Sequence, residues 1–392
     1  MRTYECSHKW ISFHIDLREA SHEFWLYLGE AASKCEHLSQ VLLRPATDRQ
    51  LHRLYLAKGV AATTAIEGNT LSEAEVLQAV EGKLKVSPSK EYQEQEVNNI
   101  IDACNTIGEQ VAERTLPPLN TSLICGYNSL VRAKLPEMED VAPPGKIRGH
   151  SVVVGNMYHG APAEDCLYLL ERLCEWLNGQ DFFAIKGNET VRAILKAVAA
   201  HIYLAWIHPF GDGNGRTARL LEFHILLSAG IPSPAAHLLS NHYNQTRSEY
   251  YRQLEYARKP GVGILPFLRY AIGGFVDGLQ EQLKYVWAQQ WDVVWSDYVN
   301  DLFQDKNSVS DTRQRHLALD LGEKAEWVQV SKIPETTTRL AKAYAKKTSK
   351  TLHRDLNALK KMGLIVQEGR KVRAQREVLQ TFLPLHREPD RA

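Results

Sequence analysis

The chain has 392 residues, a formal net charge of +1, 44% hydrophobic and 24% charged residues. That length gives room for roughly two or three domains with a full core, and the near-neutral balance excludes a chain that binds polyanions over its whole surface. Met1 to Ile15 mixes charge, histidine and aromatics without an apolar run, so no signal peptide is expected. Six scattered cysteines with no CxxC pair suit the reduced thiols of a cytoplasmic protein better than a disulfide framework or a zinc site. The apolar run Val191–Ile207 carries Arg192, Lys196 and His201, reads as too short and polar to span a bilayer, and no membrane association is expected.

Residues 1 to about 45 read as an irregular arm packed on the body through Trp10, Phe13, Phe24 and Trp25. From Asp48 to about Ala65 the apolar spacing is helical, and Glu67-Gly68-Asn69 is a termination signal. Thr70 with Glu73 reads as a capping box opening a helix from Ser72 to about Lys85. Helices are expected over Glu91 to about Ala112 and over Leu123 to Leu135, with Pro117-Pro118 between them. Ser151 to Val154 is β-branched and Gly155-Asn156 is a hairpin turn signal, so Val152, Val153 and Val154 predict a short hairpin. Glu164 to Leu177 is an amphipathic core helix, and Val191 to Ile207 a buried one.

The chemistry is concentrated in the next twelve residues, His208-Pro209-Phe210-Gly211-Asp212-Gly213-Asn214-Gly215-Arg216-Thr217-Ala218-Arg219. A tight loop with three glycines in five positions separates two apolar helices. Alternating glycines let backbone N–H groups converge without a Cβ in the way, and the N-terminus of the second helix, starting at about Arg216, adds donors and partial positive charge. Arg216 and Arg219 project from its first turn on neighbouring faces. A phosphate chain is the natural occupant of such a cradle. Asp212 would repel it unless a cation lay between them, and Mg²⁺ held by one carboxylate plus phosphate oxygens meets that need. His208 is the acid/base group beside the cradle.

Asn241 to Arg258 carries an aromatic and basic helical stretch including Tyr250 and Tyr251, and Leu265 to Leu283 closes the helical body. Trp287, Trp291 and Trp295 lie four apart on one stripe, expected to be a connecting helix packed on the body or a seam for a homodimer. From about Asp311 the composition turns basic: residues 332 to 376 hold 13 Lys and Arg against 3 Asp and Glu. Helices over Thr337–Ala345 and Thr351–Met362, then a hairpin around Gly369, read as a winged helix-turn-helix for DNA or protein contact.

The run His-Pro-Phe-x-Asp-Gly-Asn-Gly-Arg-x-x-Arg at 208–219 resembles the signature loop of the Fic (filamentation induced by cAMP) family, and the resemblance extends over roughly residues 50 to 280. Its enzymes mostly transfer AMP from ATP to a protein hydroxyl. The resemblance implies a mainly α fold: a Fic helical bundle with a β-hairpin flap, here followed by the winged helix-turn-helix. The expected segments are 1–115 (N-terminal helices with an inhibitory helix), 116–283 (Fic catalytic domain), 284–310 (connecting helix) and 311–385 (winged helix). It further implies His208 as base, Gly213, Asn214, Gly215 and Arg216 on the α- and β-phosphates, Arg219 on the γ-phosphate and Asp212 on Mg²⁺. Tyr251 would wall the base of ATP. Thr63-Thr64-Ala65-Ile66-Glu67-Gly68 fits the family's inhibitory pattern, in which Glu67 pairs with Arg219. Val152, Val153, Val154 and Gly155 resemble the flap that pairs with a target protein. Other chemistries stay open: AMP removal, transfer from another nucleotide, or a nucleotide-sensing DNA-binding regulator.

Overall fold

The computed structural model describes residues 2–136, 141–154, 158–179, 182, 188–324 and 326–380. The N-terminal region holds two helices where an irregular arm was expected, α1 (Thr3–Ser7) and α2 (His22–Gln40). Ser21 caps α2 by accepting from the Phe24 N–H. Phe24, Leu28, Ala31 and Cys35 then fall on one buried stripe, a helical spacing diluted in the sequence by charged neighbours.

Helix α3 (Pro45–Ile66) ends just before Glu67, and Gly68 turns the chain at φ 100. Helix α4 (Glu73–Val80) begins with a capping box of Ser72 and Glu75, one step later than the Thr70–Glu73 pair expected. The Thr70 hydroxyl is engaged elsewhere, donating to Gln93 Oε1 at 2.9 Å. Helix α5 (Glu91–Ala112) follows, and Asn120 caps α6 (Thr121–Val131). Strands β1 (Val153–Val154) and β2 (Tyr158–His159) pair antiparallel, Val153 opposite His159. The hairpin is there; Gly155, its expected turn residue, lies outside the described residues.

Helix α7 (Cys166–Asn178) leads to the central pair α8 (Glu189–Ile207) and α9 (Asn214–Ser228). By length and composition α8 is apolar enough to cross a membrane, despite the polar residues that argued otherwise. In this fold it is a core helix, packed against α2, α7 and α9. Helices α3, α5 and α6 pack on α9. Then come α10 (Ser233–Ala236), α11 (Leu238–Gln245), α12 (Arg247–Tyr256) and the long α13 (Leu265–Leu302).

The chain divides into two compact units, Met1–Lys284 and Tyr285–Ala392. No break between units falls at residue 115 or 310: the N-terminal helices share the core of α8 and α9, and the later part of α13 belongs to the second unit. Trp295 shows why. It is buried in the second unit's core with Val299 and Phe303, and its indole N–H donates to the Ala318 carbonyl at 3.1 Å. Trp287, on the same expected stripe, is 44% exposed.

The second unit adds α14 (Val309–Gly322), β3 (Val328–Gln329), α15 (Thr338–Tyr344), α16 (Ser349–Lys361), β4 (Ile365–Glu368) and β5 (Lys371–Ala374). The sheet is antiparallel in the order β3-β5-β4. Leu352, Leu356 and Leu359 of α16 face inward while His353, Arg354 and Asn357 are exposed, as their spacing requires. Among these apolar residues lies Asp355, which accepts from Arg313 Nε at 2.6 Å and Nη2 at 3.0 Å and from the Tyr344 hydroxyl at 3.0 Å. Truncation by Asp355→Ala strands a buried guanidinium, so the second unit should lose about 3–5 kcal/mol. Urea unfolding followed by tryptophan fluorescence measures the loss.

Candidate active site

The loop between α8 and α9 is shaped by two left-handed residues. His208 ends α8 at φ 50, with its N–H still donating to Leu204, and Gly213 opens α9 at φ 78. A β-carbon at Gly213 would also crowd Asn128 and Arg132, so this position needs glycine on both counts. Asn214 closes the loop on itself: its Oδ1 accepts from the Phe210 N–H at 3.0 Å and its Nδ2 donates to the Phe210 carbonyl at 2.8 Å. Asn128 of α6 braces the same turn by donating to the Asp212 carbonyl at 2.9 Å. The result is a rigid turn at the N-terminus of a 15-residue helix, the local field an anion prefers.

Arg219, one turn into α9, is held by α3. Its Nη2 donates to Glu67 Oε1 at 2.5 Å and to the Thr63 carbonyl at 3.0 Å, and its Nε donates to the Thr63 hydroxyl at 2.6 Å. Burial pushes the Glu67 carboxyl up, but the Arg219 guanidinium outweighs it and leaves the group below its ordinary value. The pairing depends on Gly215, since a β-carbon there would lie 2.2 Å from Glu67 Oε1. Thus the structure brings Glu67, Gly215 and Arg219 together from segments 152 residues apart.

Arg216 is buried and turned toward protein groups. Its Nη1 donates to Glu96 Oε1 at 2.6 Å and its Nη2 to Asp212 Oδ2 at 3.3 Å. Glu96 of α5 also accepts from Asn69 Nδ2 at 3.0 Å, just past the end of α3. Asp212 meets a second guanidinium, Arg132, at 3.3 Å. Tyr251 is 47% exposed, and its hydroxyl reaches toward the Ile66 carbonyl at 3.5 Å. Beside it, Arg247 donates to the same carbonyl at 2.6 Å, so α12 caps the C-terminus of α3.

The hairpin is fastened to the loop by Arg148, which is 1% exposed. Its Nε donates to the His208 carbonyl at 2.7 Å, its Nη1 to His150 at 2.7 Å, and its Nη2 to the carbonyls of Ala161 and Ile207. Its own N–H donates to the Pro209 carbonyl at 2.9 Å. Tyr158 adds a bond from its hydroxyl to the Trp206 carbonyl. Val153 of β1 stays 55% exposed at the hairpin, and Val152 is half-buried. Burial pushes the His208 imidazole down to about 4, and the Arg148 charge works in the same direction. His208 is therefore neutral at physiological pH and able to accept a proton.

Sequence reasoning missed Arg132, Arg148, Glu96, Asn69 and Arg247. Glu96 and Asn99 did leave a signal: they interrupt the stripe of Ile100, Ala103 and Ile107 on α5, and polar residues on a buried face need partners. Nothing local marked Arg132 or Arg247.

Residues 118–226 match the sequence model of the Fic/DOC family. The protein adenylyltransferase fic-1 of Caenorhabditis briggsae is 34% identical over 234 residues, covering 57% of this chain and 39% of the relative. The protein adenylyltransferase Fic of Drosophila mojavensis is 27% identical over 260 residues, 66% of this chain and 46% of its own. The chain thus spans 39–46% of the length of these curated relatives. Among solved structures, Fic-1 (residues 134–508) of Caenorhabditis elegans superposes with a TM-score of 0.54 at 25% identity, covering 67% of this chain and 72% of that one. A Fic family protein of Desulfovibrio desulfuricans shares the fold over 90% of this chain and 96% of its own, with a TM-score of 0.54 at 19% identity. Residues 118–226, the stretch that matches the Fic/DOC family model, carry the loop and the two helices that frame it.

Proposed function

We propose that the protein is an adenylyltransferase that moves AMP from ATP onto Ser, Thr or Tyr hydroxyls of proteins, itself included, and that Glu67 holds it off. The observation that carries this reading is the pairing of Arg219 with Glu67 at 2.5 Å beside a glycine turn at a helix N-terminus. A guanidinium so placed is the group a terminal phosphate would claim, and a carboxylate already on it competes directly. The names of the relatives supply the reaction class.

In this reading the N–H groups of Gly213, Asn214 and Gly215 hold the α- and β-phosphates. Arg219 takes the γ-phosphate once Glu67 leaves, and Arg216, tied to Glu96 and Asp212, steadies the turn from behind. Tyr251 lines the side of the base. A target segment lies along the hairpin at Val152–Val154, where Val153 is exposed, and presents its hydroxyl to His208, by main-chain pairing that tolerates many sequences. The hydroxyl oxygen attacks the α-phosphorus, its proton passes to the neutral imidazole of His208, and the bond to the β-phosphate oxygen breaks to release pyrophosphate. Asp212 fits a divalent cation such as Mg²⁺, since its carboxylate is partly exposed beside the turn. Bound there, the ion would shield phosphate charge and favour the leaving pyrophosphate. With Glu67 on Arg219, ATP lacks its γ-phosphate clamp and the α-phosphorus is held out of line.

The second unit supports a second, separate role in DNA contact. The outer face of α16 exposes Lys350, Arg354, Lys360 and Lys361, and Arg370 in the β4–β5 turn and Lys371 at the start of β5 are exposed too. Duplex binding that weakens steeply with salt would support it, and binding absent at low salt would end it.

Labelling of protein by ATP tagged at the α-phosphorus tests the main reading. His208→Ala should lose at least about 100-fold in rate, the contribution of a general base. Glu67→Gly should gain about 10- to 100-fold, since it frees Arg219 from a charge-assisted bond of about 1.5–3 kcal/mol. Rates unchanged in either variant would exclude the role given to that residue. Because the imidazole is held down at about 4, labelling by Glu67→Gly should stay level from neutral pH to about 5 and fall only near 4, where His208 gains its proton. A decline centred near 6.5 would mean that the base is not the buried His208.

A further inference from the structure

Arg132 Nε and Arg216 Nη2 both lie 3.3 Å from Asp212 Oδ2; Arg216 donates a hydrogen bond there, Arg132 Nε forms an ion pair without one, and among the described residues Oδ1 accepts no hydrogen bond. The two arginines are 4% and 3% exposed, the Asp212 side chain 31%. Each guanidinium is itself placed by protein groups. Arg216 is held by Glu96, whose second oxygen is occupied by Asn69. Arg132 lies at the C-terminus of α6, with its Nη2 donating to the Pro136 carbonyl at 3.4 Å. That turn is fixed by Asn99, which donates to the Val131 and Ala133 carbonyls at 3.3 and 2.7 Å.

We infer that Arg132 is a positioning residue: with Arg216 it fixes Asp212 through Oδ2, reserves Oδ1 for a divalent cation, and makes the site accept that cation only as a complex with nucleotide phosphates. The inference rests on the adenylyl-transfer reading for the identity of the nucleotide. Its physical basis is charge. Three guanidiniums, Arg132, Arg216 and Arg219, surround the turn, balanced by Glu96, Asp212 and Glu67. A bare divalent ion approaching Oδ1 meets a carboxylate already neutralised by two arginines. No group of three or more His, Cys, Asp or Glu stands among the described residues to complete its shell. Shedding water for one such oxygen is unfavourable. A triphosphate brings the missing oxygens and reverses the local charge, so the ion and the nucleotide help each other bind.

The test uses the 392-residue Glu67→Gly chain and an ATP analogue with a methylene bridge between the α- and β-phosphorus, which binds without transferring. Mn²⁺ replaces Mg²⁺ so that its paramagnetic resonance reports the bound ion. Without nucleotide, this parent chain should bind no Mn²⁺ at millimolar concentration, and with the analogue it should bind one ion. In Arg132→Gln, calorimetry in EDTA should give analogue affinity within twofold of the parent. The strengthening of that affinity by Mn²⁺ should fall at least about fivefold, the scale of a modest coupling free energy. Arg132→Lys, which keeps the charge but not the planar fork, should fall between. Tight Mn²⁺ binding by the parent without nucleotide would overturn the inference, and that measurement needs no folded Arg132 variant. So would an Arg132→Gln chain with full Mn²⁺ coupling, or one that loses analogue affinity equally in EDTA and Mn²⁺, the mark of a purely structural arginine. Failure of the parent chain to bind the analogue under either condition would instead remove the adenylyl-transfer reading, and this inference with it.

Discussion

Three guanidiniums stand around one glycine-rich turn, and none of them can be buried there alone. Arg219 is held by Glu67, Arg216 by Glu96 and Asp212, and Arg132 by Asp212. Burying an unpaired charge costs several kcal/mol, so each arginine imposes a carboxylate on a different part of the chain. Glu67 comes from the end of α3, Glu96 from α5 and Asp212 from the turn itself. The packing of α3, α5 and α6 on α9 is therefore also a charge assembly, and a phosphate chain entering the turn must compete with it. Under the proposed reaction, the carboxylate that satisfies Arg219 is also the group a terminal phosphate would have to displace.

Backbone carbonyls do a parallel task on the other side of the turn. The C-terminus of α8 leaves carbonyls that no helical N–H can reach, and Arg148 gathers two of them, Ile207 and His208, together with Ala161 and His150 from the hairpin region. One buried side chain thereby ties the hairpin region to His208 at the start of the loop. Burial is the main reason the His208 imidazole is held down, and the Arg148 charge adds to it.

Much of the architecture is legible in the chain. Apolar spacing located α5, α8 and α16, the β-branched run at Val152–Val154 located the hairpin, and a glycine signal located the break after α3. The misses have identifiable physical reasons. Thr70 looked like a cap but is engaged by Gln93, a partner 23 residues away. The helix α2 was hidden because its buried stripe is sparse and its exposed face carries the charges. Trp287, Trp291 and Trp295 shared one stripe in sequence, yet burial of Trp295 is decided by α14, which supplies the Ala318 carbonyl.

By itself the sequence determined the glycine-rich turn: its three glycines, His208, Asp212 and its two arginines are contiguous, so local geometry follows from local chemistry. The pairing of Glu67 with Arg219 was also readable, through a motif. Only the tertiary structure decided that Arg216 faces Glu96 rather than open space, that Asp212 meets two guanidiniums at Oδ2, and that Arg132 and Arg148 stand beside the turn at all. Those assignments depend on which buried charges and carbonyls meet across elements distant in sequence, and desolvation selects among such partners only once the helices have packed.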